Sequence, residues 1–153
     1  MALGLVGKGG LPSLLSVLTN RQDSVLRYYA LEGIAGSADA SSAVPILLQC
    51  LRDKDPKLVV HVTTILYRMD LKASLVVPEV LKIVQDTPES LRTLGPFLAT
   101  FGDGAQPAVP ALVKFLNDPD LIHRVTASNA LREIDPIALQ KATVVEKTET
   151  KRE

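Results

Sequence analysis

The chain has 153 residues, and its 17 Lys and Arg balance 17 Asp and Glu, leaving no formal net charge at pH 7. That balance disfavours a strong electrostatic grip on nucleic acid or an anionic membrane, and no apolar run approaches the ~18 residues of a membrane helix. A single cysteine excludes an internal disulfide, and the lack of tryptophan with 4% aromatics points to a core of Leu, Val, Ile and Ala.

In chain order, a branched apolar residue followed by proline appears four times: Leu11-Pro12, Val44-Pro45, Val77-Pro78 and Val109-Pro110, at intervals of 33, 33 and 32 residues. A constant period of this size marks stacked two-element units rather than one indivisible core. Apolar pairs follow each proline at two and three residues (Leu14-Leu15, Leu47-Leu48, Val80-Leu81, Leu112-Val113) and again at five and six (Val17-Leu18, Cys50-Leu51, Ile83-Val84, Phe115-Leu116). Between the pairs the residue is polar: Ser16, Gln49, Lys82 or Lys114. This spacing draws one buried stripe on a short helix, with proline in the first turn, where its missing N–H is unpaired anyway. It predicts burial of Leu48, Leu51, Leu81 and Leu116, with Cys50 as a small core residue. Eight residues after each proline stands Asn20, Asp53, Asp86 or Asp118, a turn former.

A second helix is expected after each turn. The fourth repeat shows it best, with Thr126, Ala127, Ala130, Leu131 and Ile134 on one side of Ile122 to Ile134. Leu58 to Ile65 is rich in β-branched residues and alone would read as a strand, but the repeat register assigns it to a helix. Gly95-Pro96 falls inside the third second-helix, where proline removes a hydrogen bond and predicts a bend.

These columns resemble HEAT-like repeats of the short bacterial type, similar to those of phycobilisome lyases: a proline, an aspartate eight later, an arginine six beyond, then Ala-Leu. The fourth repeat carries all of them as Pro110, Asp118, Arg124 and Ala130-Leu131; the third has Pro78, Asp86 and Arg92; the first has Pro12, Asn20 and Arg27, one residue late. The resemblance implies an all-α, right-handed α-solenoid of about four helical pairs, at residues 11–43, 44–76, 77–108 and 109–140. It further implies a ladder of Asp–Arg pairs along the turns, Asp86–Arg92 and Asp118–Arg124, interrupted in the second repeat where Val59 replaces arginine. Asp53 is then left to cap its own helix or to accept from Arg27 or Arg92 of an adjacent repeat. Residues 1–10 read as the end of a preceding repeat, which would leave Leu14 and Val17 open to weak self-association. Residues 141–153 read as a charged, flexible tail. A cytoplasmic location is expected, with export of a longer parent left open.

Catalytic chemistry is hard to assemble from these residues. His61 and His123 are not in H-x-x-x-H spacing and precede Val62 and Arg124 rather than an acidic residue, so neither metal nor cofactor is expected. Gly7-Lys8-Gly9-Gly10 lacks the spacing of a phosphate loop. Function then falls to the surface. In solenoids of this type the second helices line the concave side, and their outward positions here are Tyr28, Glu32, Val60, Thr64, Tyr67, Thr93, Phe97, Val125, Asn129 and Arg132. Aromatic, apolar and Arg side chains in such places suit a protein interface. The reading is a non-catalytic scaffold for a protein partner. A lyase-like accessory module and a nucleic-acid-binding module are the alternatives.

Overall fold

The computed structural model describes residues 10–20, 23–37 and 40–149, the stretch 144–149 by backbone only. Among these residues the chain is all-α, with nine α-helices: α1 (Leu11–Thr19), α2 (Ser24–Ala35), α3 (Val44–Cys50), α4 (Pro56–Arg68), α5 (Ala73–Asp86), α6 (Leu91–Ala99), α7 (Val109–Phe115), α8 (Leu121–Ile134) and α9 (Pro136–Glu149). They divide into two compact units, Met1–Leu71 and Lys72–Glu153.

In the first unit α1 packs on α2, α3 on α4, and α2 on α4. The proline columns set the starts: Pro12 and Pro45 each occupy the first turn of their helices. Asp23 and Asp55 cap α2 and α4 by accepting backbone N–H groups, Leu26 for the former and Lys57 and Leu58 for the latter, an arrangement typically worth ~1 kcal/mol per cap. The β-branched run Leu58 to Ile65 is helical, as the repeat register requires. It is held so by burial of Leu58, Val59, Val62, Ile65 and Leu66 on one side, which outweighs a propensity difference of only tenths of a kcal/mol per residue. Leu18, Leu31, Ile34, Leu47 and Leu51 complete this core, and Cys50 is buried at its edge.

In the second unit α6 packs on α8, α7 on α8, and α9 against α7 and α8. Val76, Val80, Leu91, Leu94, Leu98, Leu112 and Leu131 form its centre. One expectation is corrected here. Helix α5 begins at Ala73, not at Pro78, which lies inside it; the carbonyl deprived of a partner belongs to Ser74, an exposed residue, so the loss is tolerable. Helix α6 continues through Gly95-Pro96. Helix α9 takes in residues 141–149 of the expected tail; Asp135 caps its start by accepting the Ala138 N–H at 2.9 Å, and Pro136 suits its first turn.

Burial of the first helices is narrower than their pattern predicts. Leu51 is buried, whereas Leu48, Leu81 and Leu116 are only half-buried. A two-turn helix buries one stripe, here Val44, Leu47 and Cys50 in α3, and the second member of an adjacent apolar pair falls at its edge. Leu14 is buried and Val17 half-buried, Leu14 resting against Gly33 of α2. They do not form the open face expected of them. Residues 1–9, on which the reading of a preceding repeat rests, lie outside the described residues.

Candidate partner-binding faces

The turns between paired helices come first, since they position the second helices. In the first unit Arg27 is buried, donates from Nε to the Leu18 carbonyl at 2.9 Å and from Nη2 to Asp53 Oδ2 at 2.6 Å. The hydrogen bond to Asp53 raises the guanidinium above its already high ordinary value, against the opposing effect of burial. Asp53 Oδ1 meanwhile accepts the Asp55 N–H at 3.0 Å. One arginine thus ties the end of α1 and the α3–α4 turn to α2. Val59, at the position where the ladder lacks its arginine, is buried instead.

The corresponding turn of the second unit is built from different groups. Asp118 Oδ1 accepts the Asp120 N–H at 2.9 Å and lies 3.1 Å from Nδ1 of buried His123. Its carboxyl is held below the ordinary range by the Asp120 N–H first, with His123 and Arg124 adding to the effect against desolvation. Arg124 does not bond the Asp118 carboxylate; its Nη1 donates to the carbonyls of Asp118 and Pro119 at 2.7 and 2.9 Å. The expected Asp118–Arg124 rung is corrected accordingly. Asp86 and Arg92 are both exposed, and no ion pair joins them among the described residues.

On the second helices of the first unit, Tyr28, Glu32, Val60 and Thr64 come together. A shallow, open cavity of about 360 Å³ lies along α4 beside Tyr28 of α2, lined by Tyr28, Pro56, Lys57, Val60, His61 and Thr64. The Tyr28 and His61 rings meet edge to face at 5.5 Å. His61 Nε2 lies 2.8 Å from Glu32 Oε1, although Nε2 makes no aligned hydrogen bond, so the two meet as neighbours rather than as donor and acceptor. Tyr28 Oη has neither partner nor solvent contact; desolvation pushes the phenol up, with Asp55 adding and Arg27 opposing. Val60 and Tyr67 stand 52% and 61% exposed on α4, with Tyr29 similarly exposed on α2.

In the second unit Phe97, expected at the surface, is buried and meets Phe101 edge to face at 5.3 Å, so it is removed from the candidate face. Thr93 is half-buried. A Cβ on Gly95 would stand 2.5 Å from Thr126 Cγ2, which shows how closely α6 approaches α8. Val125 and Asn129 are exposed on α8, and Arg132 donates to Asn129 Oδ1 at 2.8 Å. A cavity of about 340 Å³ lies between the first helices α5 and α7, lined by Val84, Pro110, Lys114, Phe115 and Asp118 among others.

Sequence reasoning missed His61 as a wall of the cavity; it offered Arg27 and Arg92 as donors to Asp53, and Arg27 is the one that bonds it. A double period relates the two units: Arg27, Asp53 and Asp55 recur as Arg92, Asp118 and Asp120, each 65 residues on. In that register Ala30 and His61 face Gly95 and Thr126. No cluster of three or more His, Cys, Asp or Glu able to hold a metal occurs among the described residues, and none of their helices is long and apolar enough to cross a membrane.

An all-α chain of paired short helices, with proline-led first helices and capped turns, defines the class of helical repeat proteins. The model of the HEAT repeats matches residues 11–95, more than half of the chain, and the protein belongs to the HEAT repeat family. No curated protein and no solved structure matches it. HEAT repeats are commonly protein-interaction scaffolds and generally non-catalytic.

Proposed function

We propose that the chain is a non-catalytic protein-interaction module whose second helices present the binding face, with Tyr28, Glu32, Val60, Thr64 and Tyr67 as its centre in the first unit. The observation that carries this reading is the cavity along α4 beside Tyr28, flanked by Val60 and Tyr67, which are more than half exposed although apolar or aromatic. Isolated exposed apolar side chains are ordinary, but aromatic and aliphatic groups gathered beside a concavity suit a partner's anchor residue. In the second unit Val125, Asn129 and Arg132 occupy the matching stripe and extend the reading to α8.

The test places a photo-crosslinking residue at position 67 and, as control, at exposed Gln85 on first helix α5. Crosslinking to a protein from source lysate at 67 and not at 85 supports the proposal. Equal crosslinking at both, or loss of crosslinking in Arg92→Ala but not in Val60→Ser, overturns it.

A further inference from the structure

We infer that the α2–α4 face of the first unit takes an acidic segment of its protein partner, with an aliphatic anchor in the cavity and carboxylates reaching Lys57 and Arg68. This rests on the proposed interaction role and names the chemistry of the occupant. Among the six residues lining the cavity, Lys57 carries the one permanent charge, and none is a carboxylate. Lys57, Val60, Thr64 and Tyr67 follow one another at helical spacing along the exposed side of α4, and Arg68 stands at its end. The stripe is therefore apolar in the middle and cationic at both ends.

Of the nearby carboxylates, Asp55 caps α4 through the N–H groups of Lys57 and Leu58, and Glu32 lies across on α2 with Oε1 2.8 Å from His61 Nε2. Lys57 and Arg68 are both exposed and neither has an ion-pair partner among the described residues. The charge carried by this side of α4 is positive at both ends, and electrostatic complementarity at an interface selects partners of opposite sign. A basic segment would meet both cations as it docked. The balanced charge of the whole chain places this selectivity in the local arrangement rather than in a general field.

The buried Tyr28 Oη does not enter the argument as a ligand contact, since no surface of that atom is open to an incoming group. Its ring supplies a wall. The aliphatic anchor is chosen because Val60, Pro56 and the Tyr28 ring offer apolar contact, while a cavity of about 360 Å³ is at the small end of ligand-sized pockets.

The experiment follows backbone amide resonances of the isotope-labelled full chain during titration with three probes. One is a blocked peptide with a leucine flanked by glutamates; the second replaces the glutamates by lysines; the third is a short oligothymidylate. The expected result is that the glutamate peptide alone shifts resonances around Lys57, Val60 and Thr64, and that added salt weakens it. Lys57→Glu/Arg68→Gln should weaken it by about tenfold or more, as reversed charge at an interface is repulsive, with an unchanged urea midpoint. Equal binding of the lysine peptide, preference for the oligothymidylate, shifts confined to other helices, or no binding of the glutamate peptide would each overturn the inference. In any of those cases the crosslinking result at position 67 still decides the interaction role on its own.

Discussion

The two units carry the same turn 65 residues apart and close it with different chemistry. In the first, Asp53 is matched by Arg27 from the preceding helical pair at 2.6 Å, with both side chains less than a tenth exposed. In the second, the equivalent Asp118 is met at 3.1 Å by His123 of the helix that follows it, and the equivalent arginine, Arg92, is exposed. The second helices differ in parallel. Tyr28 and His61 stand where the second unit has Thr93 and Thr126, and Ala30 where it has Gly95. The larger rings accompany a cavity along α4 beside Tyr28, while the bare Gly95 lets α6 and α8 approach to side-chain contact. The lesson is that one repeat pattern tolerates either an open or a closed seam, and that a few side-chain volumes select between them.

The largest expected effect tests the turn. Arg27→Ala leaves Asp53 buried without its cation, which typically costs ~3–5 kcal/mol, whereas Arg92→Ala should stay within ~0.5 kcal/mol as an exposed substitution. Urea midpoints for the two variants measure the contrast, and similar losses would mean that the turns are energetically alike.

The seam comes next. Gly95→Ala places a methyl group at 2.5 Å from Thr126 Cγ2 and 3.3 Å from Leu91 Cδ1, and overpacking of this kind costs ~1–3 kcal/mol. Thr126 must change χ1 rotamer, or α8 must shift, to admit it. Thr126→Ser removes the offending methyl and should recover part of the loss. A thermodynamic cycle of the two substitutions that shows no coupling would refute the close seam.

A smaller effect concerns acid. The Asp118 carboxyl is depressed in the folded state, so it contributes stability above its unfolded value near ~3.9. That contribution is lost as pH falls through the folded value. Stability should therefore decline below about pH 4, and Asp118→Asn should flatten that limb relative to the parent chain. Denaturation midpoints from pH 6 downward give the comparison; an unaltered acid limb in the variant would assign the decline to other carboxylates, such as Asp135, which is also depressed by the Ala138 N–H.

The smallest stability effect is expected at Tyr67. This side chain is 61% exposed, and Tyr67→Ala should shift the urea midpoint by less than the equivalent of ~0.5 kcal/mol while lowering partner capture. A large stability loss would make Tyr67 part of the core of its unit and remove it from the binding face.

Much of the architecture was legible in the residues because the repeat imposes the same columns again and again. Pro12, Pro45 and Pro110 mark helix starts to within a residue, and the register correctly overrode the strand-like look of Leu58 to Ile65. Pro78 misled because proline is tolerated wherever the carbonyl it strands is exposed. Phe97 misled because its helical position was known but the depth of its neighbours was not. Of the candidate face, Val60 and Thr64 could be placed on one side of α4 from spacing and Tyr28 on the outward side of α2, yet the cavity they line depends on His61 and on how far α4 stands from α2.

The sequence by itself determined the all-α class and the pairing of proline-led first helices with second helices, since these follow from local spacing. Only the tertiary structure decided which partner each charged turn group chose. Arg27 and Arg92 sit at equivalent positions, and Arg124 lies six residues after Asp118 just as the ladder requires. A guanidinium on a long flexible stem can reach a carboxylate in the next pair, a backbone carbonyl in its own turn, or solvent. The choice among them is made by burial and by which acceptors the packed neighbours leave within hydrogen-bond distance, and neither is written in the order of residues along the chain.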